Sequence, residues 1–575
     1  MGRQGVPLRA QPSLDATPVV LRPRRIPGMT SRITAQVAIA GGGPVGLTLA
    51  LDLASRGVDV VVIEQRRAEE LPSVKCNHVA SRTMETFRRL GLAADVRAAG
   101  LPDDYPNDVA VRTCATGHEL TRIPIPSRQR RFTATDGPDT RWPTPEPPHR
   151  VNQIYFEPIL HRHAARAAGI RILNRTRYEE HAQLDDAVRV TARDLETNAV
   201  ITLECHYFVG CDGPRSEVRR QIGAKLQGDA TIQRVQSSHI RAPTLASLIA
   251  TGPAWMSYLY TPARAGNLVA IDGRETWLVH NYLLPHEPDF ESVDRDRWIR
   301  HLLGVGSDFE YELLAREDWI GRRLVANQFR DRRVFICGDA AHLWVPYAGY
   351  GMNAGIADAM NLSWMLAAHL KGWAPPGILD AYERERLPVN EQVSRYVAKH
   401  AAGAIAERTS VPPEIDDETP EGAAARARVG QGAYDLHVQQ FACAGLNYGY
   451  FYASSPLISY DGEEPPKWTM RDYTPSTVPG CRTPHLRLKD GRSLYDAMGP
   501  DYTLLVFDAD LDTSPLTAAA AKRGMPLAVL PVESREAGEL YRHKLVLSRP
   551  DRHVAWRSDT VPGDPLALID LVRGA

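Results

Sequence analysis

Residues 36–46 read Gln-Val-Ala-Ile-Ala-Gly-Gly-Gly-Pro-Val-Gly, and the fold turns on them. The run 36–40 is short, apolar and β-branched, the composition of a buried strand. GGGPVG follows at once and sets Gly41, Gly43 and Gly46 at the spacing GxGxxG. In a dinucleotide site the first glycine permits the tight strand-to-helix turn. The second lets backbone approach a pyrophosphate, and the third lets the helix pack closely. LTLALDLASRG (47–57) then spaces its apolar residues like a buried helix that Gly57 stops, and VDVVVIEQR (58–66) supplies a second strand ending at Glu64. A crossover of this length joins parallel strands. Phosphates would sit on the unpaired N–H groups at the start of the helix that Pro44 opens. Glu64 stands about 20 residues downstream, where an acid accepts hydrogen bonds from a ribose diol and disfavours a 2′-phosphate. FAD or NAD is therefore expected there rather than NADP.

Working outward, 575 residues suffice for several domains at about 100–200 residues each. Hydrophobic residues make up 43% and charged ones 24%, which excludes extended disorder. Lys+Arg (68) and Asp+Glu (69) nearly cancel, so no global field argues for nucleic acid or an anionic membrane. No apolar run reaches the roughly 18 residues of a spanning helix. Seven scattered cysteines without a CxxC suit a reducing, cytoplasmic setting and argue against disulfide frameworks, zinc clusters and dithiol chemistry. Residues 1–28 are Arg-rich and lack helical periodicity; they read as an unstructured extension rather than a targeting leader.

Two later segments repeat the pattern of a strand followed by an acid. CDGPRS (211–216) follows HYFVG, although an Asp-Gly pair is equally at home in a plain turn. GDAAH (338–342) follows RVFIC, and VPYAGYGMNAGIADAMNL then opens a long helix. A carboxylate at a strand's C-terminal end, as at Asp339, is placed for a sugar-like hydroxyl in an α/β crevice. Gly349, Gly351, Met352 and Asn353 would bring N–H groups and a helix start towards an anion-accepting group. No internal repeat is visible.

Taken together, the three motifs, GGGPVG with Glu64, CDGPRSEVRR and GDAAHLWVPYAGYGMNAGIADAMNL, resemble those of the single-component FAD-dependent aromatic hydroxylases, the class A flavoprotein monooxygenases. The resemblance covers roughly residues 33–400. PGCRTPHLRLKDGRSLYDAMGPDYTLLVF (479–507) resembles the thioredoxin-like tail of the phenol hydroxylase branch, here without CxxC and so structural or oligomer-forming. The implied fold is α/β: a Rossmann-like FAD-binding domain interleaved with a mixed-sheet substrate domain, then a thioredoxin-like domain. The expected divisions are an N-terminal extension (1–32), FAD-domain parts (33–110, 151–225 and 331–408), an irregular excursion (111–150), a substrate domain (226–330), a linker and irregular region (409–479) and the tail domain (480–575).

By the same resemblance, Gly41, Gly43, Pro44, Val45 and Gly46 would wrap the FAD pyrophosphate and Glu64 would hold the adenosine ribose. Gln65 and Arg66 would line the adenine side, Gln153 would stand near the flavin and Asp339 would bind the ribityl chain. Asp212 would lie near both FAD and the pyridine nucleotide. Pro346 and the loop Gly349, Gly351, Met352 and Asn353 would flank the isoalloxazine. Arg82 matches a recurrent arginine whose role is open between cofactor contact and surface salt bridge, and packing or capping suits His342. Tyr350 departs from the polar residue common between the loop glycines; altered flavin motion and lining of the substrate cavity both remain open.

The implied reaction uses NADPH or NADH and O2 to hydroxylate a small phenolic or otherwise electron-rich aromatic through a C4a-hydroperoxyflavin. A Baeyer–Villiger or epoxidising relative is the alternative, and a non-catalytic flavin binder is the reading from another class. The WxWxIP stretch of flavin-dependent halogenases is absent. No motif fixes an acid or base. The catalytic candidates are Tyr258, Tyr260, His280 and Tyr350, with Trp255, Asn281 and Tyr282 nearby in sequence; Tyr258 and Tyr260 share a face of any regular strand. A homodimer is a family-level expectation.

Overall fold

Strand Arg32–Ala40 lies at the centre of an eight-stranded sheet because its residues from Val37 onward are buried on both faces, as parallel strands covered by helices must be. The computed structural model describes residues 32–575. The extension expected over 1–32 lies outside the described residues, except that Arg32 already belongs to this strand. Val60–Ile63 runs parallel on one side and Val200–Gly210 on the other; Ile170–Leu173 and Val334–Ile336 extend the parallel set outward. Ala40 is in register with Ile63 and Gly210, and Gly210 with Ile336, so four strands end at one level. Helix Pro44–Ser55 packs against the long helix Tyr350–Leu370.

A second, nine-stranded sheet is built on the 16-residue strand Leu226–Arg241, which pairs with Thr276–Tyr282, Glu312–Arg316 and Trp319–Ala326. Met256–Tyr260 and Ala265–Ala270 continue it. Val109–Arg112 and Glu119–Ile123 close one edge, which corrects the irregular excursion expected from 111 onward. These strands have only four and five residues, and Val109–Arg112 finds its parallel partner Met256–Tyr260 far away in the chain, so the local composition hides them.

The region 409–479 is also more ordered than expected, because Pro420–Phe441 forms a 22-residue helix. Thr419 caps it through Gly422 N–H. A Cβ on Gly430 would fall 2.2 Å from the Leu120 carbonyl oxygen, so glycine is what lets the helix approach that strand so closely, with Ala433, Val438 and Phe441 entering the core alongside.

The C-terminal sheet has the order Leu527–Pro531, Tyr502–Val506, Leu545–Ser548, Val554–Ser558, with the first pair parallel and the others antiparallel. Helices Ser514–Lys522 and Pro565–Val572 complete this small α/β unit. Arg549 anchors this domain to helix Ala381–Thr409 by donating to both Glu385 oxygens, at 2.5 and 2.7 Å, and to Asp551 at 2.8 Å. The Arg549 and Glu385 side chains are fully buried. No helix among the described residues is long and apolar enough to cross a membrane.

Candidate active site

Each of the four strands that end level delivers a motif: Gly41–Gly46, Glu64, Cys211-Asp212 and Gly338-Asp339. Such a lip, at the carboxyl ends of parallel strands, is where α/β sheets hold nucleotides. The glycines differ in their surroundings. Gly41 has φ +104°, and a Cβ there would lie 2.2 Å from the Cys211 carbonyl oxygen. A Cβ on Gly46 would lie 2.0 Å from the Gly41 carbonyl oxygen, whereas one on Gly43 would meet nothing within 4 Å. Strand, turn and helix are thus locked by two glycines, while the third faces open space. No side chain caps helix Pro44–Ser55, which leaves its first N–H groups for an anion. These features fit a dinucleotide.

Glu64 is buried and its Oε2 accepts from Gly42 N–H at 2.7 Å, while Oε1 accepts from Arg66 N–H at 2.8 Å. Arg66 reaches Glu157 at 2.7 Å, and Gln153 Nε2 donates to Glu157 at 2.5 Å. Gln153 N–H in turn bonds the Cys76 carbonyl at 3.0 Å. Asp339 is open to solvent, yet crowding by protein raises its carboxyl pKa, as on the floor of a narrow crevice. Burial, with Asp339's charge beside it, pushes the Cys76 thiol up to about 12. Gln65 is exposed beyond this chain of contacts. Asp212 spends both oxygens on helix Glu217–Gln221, accepting from Ser216 Oγ and from the N–H groups of Glu217 and Val218.

A second group of polar residues meets the loop before helix Tyr350–Leu370. Ala348 has φ +60°, a conformation non-glycine residues seldom adopt, and both of its peptide groups are held. Its N–H donates to Gln440 Oε1 at 3.1 Å, and its carbonyl accepts from His78 Nδ1 at 3.2 Å. The first bond fixes the Gln440 amide, whose Nε2 then donates to Tyr258 O at 2.7 Å and to His437 Nδ1 at 3.0 Å. With Nδ1 accepting, His437 Nε2–H points to Tyr260 O at 2.7 Å, and Tyr260 donates to Glu407 at 3.2 Å. His437 stacks on Tyr258 with ring centroids 4.1 Å apart. Burial raises both tyrosine pKa values well above the usual range. Burial, with Arg150 nearby, keeps His78 neutral; its Nε2 is buried without a partner. Buried Arg150 likewise has unpartnered Nε and Nη1, with its guanidinium 4.9 Å from the Trp255 ring centroid and 5.9 Å from that of Phe441.

Tyr258 and Tyr260 are therefore brought together, and His280 joins their face through the row Tyr258, Asn267, His280, where it stands edge-on to Trp319. Tyr350 is placed elsewhere: its hydroxyl donates to the Leu446 carbonyl at 3.0 Å. Arg82 also lies apart from the glycine loop, because helix Ser81–Arg89 turns it to the C-terminal domain. There it reaches His553 at 3.3 Å and covers Tyr450 at 4.5 Å. Asn353 staples the loop by accepting from Ala80 N–H and Thr83 Oγ1. His78, Arg150, Glu407, His437 and Gln440 were invisible to motif reading, since their partners lie far off in the chain.

Comparison with known proteins gives the chain its relatives. Residues 34–397 match the family model described as FAD binding domain, and residues 476–572 match aromatic-ring hydroxylase, C-terminal. The chain is 32% identical to the FAD-dependent monooxygenase apdD of Emericella nidulans, over 91% of this chain and 88% of that protein. It is 28% identical to phenol 2-monooxygenase of Pseudomonas sp., over 95% and 94%. Among solved structures, RebC soaked with chromopyrrolic acid and holding 7-carboxy-K252c superimposes with TM-score 0.85 at 34% identity, covering 95% of this chain and all of that one.

Proposed function

Since the chain belongs to the FAD-dependent aromatic-ring hydroxylases, we propose that it hydroxylates a phenolic aromatic using NADH or NADPH and O2, with Tyr258 and Arg150 as the residues that bind the substrate. FAD would be held by Gly41, Gly43, Pro44, Val45 and Gly46 at the pyrophosphate, Glu64 and Arg66 at the adenosine end and Asp339 along the ribityl chain. Gln153, Pro346, Gly349, Gly351, Met352 and Asn353 would border the ring system. Once bound, FAD supplies the two-electron chemistry that activates dioxygen.

The protein's part is binding, water exclusion and proton placement. Tyr258 O already accepts from Gln440, so its own proton is free to go to a substrate oxygen. Arg150, whose Nη2 pairs with buried Asp139 at 3.3 Å, still offers two unpartnered donors beside the aromatic walls Trp255 and Phe441, and hydrogen bonds from them would favour the phenolate form. A phenolate is the more electron-rich ring. The neutral His78 Nε2 is a buried hydrogen-bond acceptor that would orient the substrate hydroxyl. Burial of Tyr258, Tyr260 and His437 would exclude water from a substrate held beside them, which protects a reactive oxygen donor.

The carrying observation is the bond from Ala348 N–H to Gln440, because it ties the flavin-side loop to the tyrosine array. The test follows NAD(P)H consumption and incorporation of label from ¹⁸O₂ with a panel of phenols. One phenol class should accelerate consumption and carry one labelled atom, and Tyr258→Phe should slow that hydroxylation about 100-fold with FAD retained. Consumption indifferent to every phenol, with no labelled product, would overturn the reading.

A further inference from the structure

Between helix Ser81–Arg89, helix Tyr350–Leu370 and the C-terminal domain lies a cavity of about 400 Å³, within the ~300–1,000 Å³ range of small-molecule sites. Arg56, Arg82, Arg88, Arg89, Arg482 and Arg552 line it. Four of these are neutralised. Asp52 takes Arg56 and Arg89, Asp496 takes Arg88, and Glu85 takes Arg482 at 2.8 Å. Asp551, the remaining carboxylate on the wall, is held by Arg549.

Arg82 and Arg552 are left over. Among the described residues neither has an ion pair within 4 Å, and each has a buried Nη1 without a hydrogen-bond partner. Arg82 Nη2 reaches only His553 and, at 3.5 Å, the Asp551 carbonyl. Arg552 Nη2 donates to the Tyr495 carbonyl at 3.1 Å. Burial and the neighbouring charge of Arg89 bring Arg552 down to about 10, the mark of a cation short of counter-charge.

We propose that this cavity is a binding site for a phosphate monoester of about mononucleotide size, clamped by Arg82 from the FAD-binding domain and Arg552 from the C-terminal domain. One guanidinium fork saturates a carboxylate, whereas a phosphate dianion has three oxygens and two charges to share between two forks. The remaining volume is walled by Tyr350, Tyr450, Tyr452 and Tyr495, whose rings suit a flat organic group better than bare inorganic ion. The site opens on the far side of helix Tyr350–Leu370 from the pyrophosphate loop: Asn353 is shared with the flavin-side loop, but none of Gly41–Gly46, Glu64 or Asp339 lines it.

Calorimetric titration of the full-length, FAD-loaded protein in low salt tests this with three probes: inorganic phosphate, AMP and adenosine 2′,5′-bisphosphate. FAD loading keeps the probes out of the flavin's own adenosine pocket. The nucleotides should bind at least 10-fold more tightly than inorganic phosphate, and Arg82→Gln or Arg552→Gln should each weaken them at least 10-fold. Preference for the 2′-phosphate would mark a nicotinamide nucleotide as the source and preference for AMP a free nucleotide; each supports the site. Absence of binding by all three probes at millimolar concentration overturns it. So does unchanged affinity in the double variant with its bound-flavin spectrum and circular dichroism intact.

Discussion

Asp358 shows how one buried carboxylate ties the Gly338–His342 turn to two helices. It accepts from Arg386 Nε, His342 Nε2 and Asn390 Nδ2 at 2.8, 2.8 and 2.9 Å, and from Gly338 N–H at 3.2 Å. Burial alone would raise its pKa, but Arg386 and His342 hold it down at about 2. The folded value lies below the unfolded one, so its contribution, about 2 kcal/mol, is full above roughly pH 4 and is lost as pH falls from about 4 to about 2. Asp358→Asn should therefore destabilise the protein by about 3 kcal/mol at neutral pH and flatten the loss on acidification, read by urea unfolding between pH 6 and 3. An unchanged acid limb would remove Asp358 from this role. His342, suited by its motif to packing or capping, is the partner of that carboxylate and stacks on Trp344. Its place in GDAAH was legible; its partner, 16 residues on in a helix, was not.

At the scale of elements, legibility followed locality. The strand–turn–helix around Gly41–Gly46 announces itself because strand, turn, helix and the parallel strand ending before Glu64 all lie within a few dozen residues, even though Gly41 also packs on distant Cys211. The helix Pro420–Phe441 hides because its first half is rich in alanine and glycine and meets strand Glu119–Ile123 through Gly430, its larger buried apolar residues Val438 and Phe441 coming only at the end. The Tyr260–His437 pair joins residues 177 positions apart, so no spacing rule reaches it. Within the first motif the second and third glycines of the GxGxxG spacing should separate by experiment. Gly46→Ala pushes a methyl into the Gly41 carbonyl, and about 1–3 kcal/mol of stability should go along with flavin binding. Gly43→Ala meets no protein atom within 4 Å, so melting should hold while FAD affinity falls at least 10-fold. Melting curves and flavin fluorescence read the two effects apart; full FAD affinity in Gly43→Ala would refute the pyrophosphate assignment.

For the whole molecule, the seam with the C-terminal domain is electrostatic at its heart. Arg549→Met would strand Glu385 in a closed interior and should destabilise the chain by about 3–5 kcal/mol. The companion change Glu385→Gln should restore part of that loss, since the unpaired charge goes with it. Denaturant titrations of both variants measure the difference, and a single variant as stable as the parent would show the clasp to be idle. This seam was beyond the sequence, which shows where the C-terminal domain begins but not what it touches.

The clasp also bears on how the chain is made. Glu385 precedes Arg549 by 164 residues, so at roughly 5–20 residues per second it leaves the ribosome about 8–30 s earlier. For that interval the nascent body carries an acid with no counter-ion, and its final consolidation waits for the last segment to be translated.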